Sequence, residues 1–113
     1  MGIIVFNVKG TMFLSKKTIK MVAENVDSGD LLELKPEPSN KYDPHAVKVL
    51  YDERFIGYVE QESSEEISQL IKSGVDYNCE VVACFVEWGS YYTDSGREVE
   101  PVDSIDLLAE IKY

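Results

Sequence analysis

Residues 37–47, Glu37-Pro38-Ser39-Asn40-Lys41-Tyr42-Asp43-Pro44-His45-Ala46-Val47, decide how this 113-residue chain is read. Prolines bracket a polar turn: Pro holds φ fixed, while Asn40 and Asp43 can bond their own backbone. Upstream, LLELKP at 31–36 reads as a strand ended by Pro36 and Pro38. Downstream, residues 46–51 alternate, with Val47, Val49 and Tyr51 on one side. RFIGYV at 54–59 then returns as a hairpin partner across Asp52-Glu53. A two-residue connection favours positive φ, which Asp tolerates better than Glu, so a longer turn is the expectation.

Working outward, IIVFNV at 3–8 is β-branched and aromatic and reads as a first strand, interrupted at Lys9-Gly10-Thr11. From Ser15, the positions Ile19, Val22, Ala23 and Val26 fall on one helical face, and Asp27-Ser28-Gly29-Asp30 stops that helix. Ser63 with Glu66 fits a capping box opening a second helix with Ile67, Leu70 and Ile71 inward, and Gly74 is placed to end it. CEVVACFVEW at 79–88 reads as a long strand covered on both faces, with Phe85 in the core. After GSYYTDSGREVEP, the alternation of Ile105, Leu107, Ala109 and Ile111 makes a closing strand, with Leu108 the exception. No repeat or linker divides residues 1–113. Six short strands and two helices predict one mainly β (α+β) domain, a small, partly closed barrel with helices plugging or flanking it.

Hydrophobic residues make up 44% and charged residues 28%, the balance of a globular domain. No apolar run approaches the roughly 20 residues that cross a bilayer, and MGIIVFNVKG is no signal peptide, so the expectation is a cytoplasmic protein. Cys79 and Cys84 in one extended strand would sit roughly 17 Å apart on opposite faces, and a disulfide needs Cα atoms within about 7 Å. They read as buried thiols; with His45 the only histidine, no metal or cofactor is expected. The net charge of −10 is uneven: residues 1–48 balance at +1 and residues 49–113 at −11. Any anion-binding surface therefore belongs to the first half.

In the 37–47 turn, Tyr42 offers a flat ring beside the Asp43 carboxylate, a platform that could receive a base and a sugar hydroxyl. The same residues equally suit a well-made turn whose Tyr caps the barrel. The stretch resembles the signature of the HIRAN domain: a strand ending in Glu37-Pro38, the turn Asn40-Lys41-Tyr42-Asp43, the strand Ala46-Val47-Lys48-Val49, and a hairpin ending in Ile56-Gly57-Tyr58. A first strand followed by Gly10 is similar to the family's opening, so the match runs from about Val5 to Val59. The resemblance implies an elaborated OB-like, six-stranded barrel. Such domains occur alone in bacteria and phage, and at the front of Swi/Snf-type proteins that remodel stalled replication forks. There they capture the 3′ end of single-stranded DNA.

By that resemblance the DNA-binding pocket contains Phe13, Asn40, Lys41, Tyr42, Asp43 and Tyr58, with Tyr42 stacking on the terminal base and Asp43 accepting from the 3′ hydroxyl. Met12 stands where DNA-gripping relatives carry arginine, Tyr58 where they carry histidine, and Glu60 and Gln61 where they carry lysines. Lys9, Lys16, Lys17 and Lys41 compensate if they line the same face. No nucleophile or two-metal carboxylate cluster marks an enzyme. The alternative partner is a protein or a second copy, bound through Trp88, Tyr91 and Tyr92 in the acidic second half, a face that would select a basic partner.

Overall fold

The computed structural model describes residues 1–113. Strand β1 (Ile3–Lys9) runs into a single 3-10 turn (Thr11–Phe13) and helix α1 (Lys16–Asn25); β2 (Glu33–Pro36), β3 (Val47–Tyr51) and β4 (Arg54–Val59) follow. Helix α2 (Gln61–Lys72) precedes β5 (Asn78–Trp88), the short strands β6 (Tyr91–Tyr92) and β7 (Glu98–Val99), and β8 (Val102–Lys112). Six strands form one antiparallel sheet in the order β2-β3-β4-β1-β8-β5, and β6 with β7 forms a separate ribbon.

The edges of that sheet meet. Just before β2, the Gly29 amide donates to the Val81 carbonyl at 2.8 Å, Val81 returns a bond to Asp30 at 2.8 Å, and Leu32 donates to Cys79 at 2.9 Å. This short seam, bridging Leu31 and Glu80, turns the sheet into a partly closed barrel. Inside lie Phe6 from β1, Val47 and Val49 from β3, Ile56 from β4 and Leu107 and Ile111 from β8, with Val22 of α1 and Ile67 of α2 packed against them. Each such side chain contributes about 1.5–3 kcal/mol by leaving water.

Helix α1 follows directly on Ser15, which caps it: Ser15 Oγ accepts from the Thr18 amide at 3.2 Å. Helix α2 does not start at the expected capping box. It begins at Gln61 with Glu60 at the capping position, and Ser63, already inside the first turn, donates to the Glu60 carboxylate at 3.2 Å. Gly74 ends it with φ of 77°. The β3–β4 turn is the tight two-residue kind after all: Asp52 and Glu53 take φ of 49° and 67°, the left-handed pair that matches strand twist.

Two bulges change which side chains face inward. On β4 the register jumps from Leu50–Phe55 to Val49–Gly57, so Ile56 and Gly57 are both buried. Gly57 is required there: a Cβ would lie 2.6 Å from the Lys9 carbonyl, and φ is 149°. On β5 the register jumps from Val81–Ala109 to Ala83–Leu108. The extra residue, Val82, reverses the alternation beyond it. Cys84 consequently faces Leu107 and shares the inner side with Cys79, against the expectation of opposite faces. Phe85, expected in the core, is 66% exposed. The distal half of β5 is not covered on both faces: Glu87 and Trp88 are also exposed, and the β5–β8 hairpin lengthens a molecule of 56 × 31 × 22 Å.

Candidate nucleic-acid interface

The loop between β2 and β3 is held by its own polar groups. Asn40 Oδ1 accepts from the Tyr42 amide at 2.9 Å and the Asp43 amide at 3.1 Å, and Asn40 Nδ2 donates to Glu37 at 2.9 Å. Asp43 Oδ1 accepts from the His45 amide at 2.8 Å, while its Oδ2 accepts from Ser64 of α2 at 2.8 Å. Backbone bonds from Asn40 to Glu37 and from Ala46 to Asp43 close the turn. With its polar groups so engaged, the loop leaves the Tyr42 ring 92% exposed on a fixed base.

Glu37 is the hub behind the loop. Its carboxylate receives Lys48 Nζ at 2.9 Å, the Tyr58 hydroxyl at 3.0 Å and the Asn40 amide. The hydrogen bond from Lys48, then that from Asn40, holds the Glu37 carboxyl below the usual range, and the same contact raises Lys48. Burial first, and the Glu37 contact second, raises the Tyr58 hydroxyl. The Tyr58 ring also meets Phe55 edge-on at 5.1 Å.

An open cleft of about 290 Å³ lies beside Tyr42, lined by Lys9, Asn40, Asp43, Tyr58 and Gln61 with Ala46 and Val59. Of the residues anticipated from sequence, Asn40, Tyr42, Asp43 and Tyr58 are brought together here. Lys41 is exposed but does not line the cleft, and neither does Phe13, which stands 94% exposed on the 3-10 turn. Of the candidate compensating lysines only Lys9 lines it; Lys16 lines a different groove. Ser64 was not anticipated, although a serine on the apolar face of α2, three residues before Ile67, is the kind of signal that marks a buried polar partner. The cleft wall pairs one lysine, Lys9, with one carboxylate, Asp43.

The class so defined is a small, partly closed β-barrel module with a rigid aromatic-bearing loop over a surface cleft. The HIRAN domain family model matches residues 1–94. The fold is similar to the crystal structure of the HIRAN domain of human HLTF, with TM-score 0.59 and 14% identity over 96% of this chain and 75% of that one. It is also similar to the crystal structure of a Lactobacillus plantarum protein, with TM-score 0.58 and 17% identity over 99% of this chain and 100% of that one. No curated protein matches. The chain belongs to the HIRAN domain family, a family of DNA-binding modules. No helix is long and apolar enough to cross a membrane.

Proposed function

We propose that the chain is a non-catalytic module whose Tyr42 cleft captures the 3′ end of single-stranded DNA, in DNA repair or replication-fork processing. The carrying observation is the Tyr42 ring, 92% exposed beside a cleft on a loop whose polar groups are already bonded. A platform ordered beforehand loses little entropy on stacking, and a stacked base is worth about 1–3 kcal/mol. Asp43 keeps the second role: each carboxylate oxygen receives one donor, and each has a further lone pair for a terminal hydroxyl. Affinity rests on stacking more than on charge, since Lys9 is the one cation lining the cleft.

The test is fluorescence anisotropy of a short single-stranded DNA labelled at its 5′ end, at low and moderate salt, beside a 3′-phosphorylated twin and Tyr42→Ala. Binding that weakens at least about tenfold with either change is the expected result. Equal binding of the twin would remove end capture, and no binding even at low salt would remove the DNA reading.

A further inference from the structure

A cavity larger than the Tyr42 cleft lies away from it. A groove of about 550 Å³ runs between α1 and the distal β5–β8 hairpin, with Met12, Leu14 and Ile19 on one side and Trp88, Tyr91 and Pro101 on the other. Trp, Tyr and Met are residues that carry binding energy in protein interfaces, and this volume suits bulky apolar side chains.

The charge at the groove differs from that of the hairpin alone. Lys16 and Lys20 also line it, one helical turn apart on α1, and neither forms an ion pair within the chain; Glu100 is the single carboxylate in the lining. Lys16 and Lys17 occupy the first turn of α1, where the helix dipole disfavours cations, and no acid in that turn offsets them. Two unpaired lysines against one carboxylate, beside an aromatic wall, select an acidic partner, the reverse of what the acidic second half suggests when read as sequence. A second copy is disfavoured by the net charge of −10 on each chain. A nucleic-acid strand carries a charge at every nucleotide and would have to pass Glu100, whereas a peptide can set an apolar residue there.

We propose that this groove docks a segment of another protein in which bulky apolar side chains are flanked by acidic residues, the apolar groups seating between Leu14 and Trp88 and the acids meeting Lys16 and Lys20. Trp88 is the only tryptophan of the chain and reports on the groove directly.

The experiment titrates the full chain with three labelled peptides: one carrying Leu and Phe anchors flanked by Glu, one with the same anchors flanked by Lys, and one Glu-flanked with the anchors replaced by Ser. Anisotropy and Trp88 emission are followed together. The Glu-flanked anchored peptide should bind about tenfold tighter than either other, Lys16→Glu with Lys20→Glu should invert the charge preference, and Trp88→Ala should abolish binding while circular dichroism stays unchanged. Tyr42→Ala should leave this binding intact, which separates it from capture of a DNA end. A preference unmoved by the lysine reversals, displacement of the peptide by single-stranded DNA, or a dimer in sedimentation that Trp88→Ala dissolves would each overturn the proposal.

Discussion

Ser64, buried on α2, donates to the Asp43 carboxylate at 2.8 Å, so the second helix and the β2–β3 loop hold one another in place beneath Tyr42. The bond spans 21 residues of sequence and joins a helix to a loop whose other ties are its own turns and the strand contacts of Glu37. Ser64→Ala removes the donor and leaves the carboxylate short of a partner. The expected loss is about 1–2 kcal/mol in urea denaturation. Affinity for a DNA end should fall with it, because Tyr42 loses its fixed base. A variant with unchanged stability and affinity would show that the loop holds its shape alone.

Gly57 tests the β1–β4 crossing. Its missing Cβ lets the Lys9 carbonyl approach, and Thr11 Oγ1 donates to the neighbouring Ile56 carbonyl at 2.7 Å in the same buried spot. Gly57→Ala places a methyl against backbone that cannot yield, at a cost of about 1–3 kcal/mol. Thermal unfolding reads the loss. Since Lys9 and Tyr58 face each other across this crossing, the cleft should distort as well.

The same crossing shows what sequence reading reaches. Short-range features were legible: the β3–β4 alternation, the helix running on from Ser15, and the Asn40–Asp43 turn, each set by residues within a few positions. Parity was legible only as far as the first bulge. A bulge leaves no mark in composition, so Phe85 counted inward from Cys79 lands in the core, whereas the extra Val82 turns it out to solvent. The cleft residues from the one loop were found together; Ser64 was not, and which of the four candidate lysines reaches the cleft was not legible either, because these groups arrive from elements far along the chain. Likewise the meeting of Lys16 with Trp88 follows from β8 pairing with both β1 and β5.

Glu37 predicts a pH dependence. Its folded carboxyl titrates below the ordinary glutamate range, chiefly through Lys48. The stability this contributes is therefore fully present above about pH 4.3 and is lost as pH falls through the depressed folded value. At the other end Lys48, raised by the same contact, loses its contribution as pH rises through its folded value. Glu37→Gln should flatten the acid side of a stability–pH profile between pH 3 and 5 (about one unit either side of the glutamate range). An unchanged acid limb would mean that other carboxylates set it.

The barrel seam is open to a thiol test. Cys79 is buried under the Leu32 seam bond, and burial first, with Glu80 and Glu110 adding to it, pushes its thiol up to about 12. Cys84 is half-buried and raised less far. A maleimide at neutral pH should label Cys84 slowly and Cys79 only on unfolding, since the thiolate is the reactive form. Equal labelling of both in the native protein would mean that the Gly29–Leu32 seam opens freely.

Salt dependence separates stacking from charge at the cleft. With Lys9 on the wall and Lys41 exposed on the loop, about two phosphates are within reach, for a slope of log affinity on log salt near −1.4 on a single strand. Lys9→Ala should lower that slope to about −0.7 and weaken all sequences alike. Tyr42→Ala should lower affinity while leaving the slope in place, because the ring neutralises no phosphate. Lys17→Ala, on α1 and outside the cleft, is the matched control. A slope much steeper than −2 (about three phosphates or more) would place the strand along the lysines of α1 instead, and the Tyr42 cleft would then be an end stop rather than the main contact.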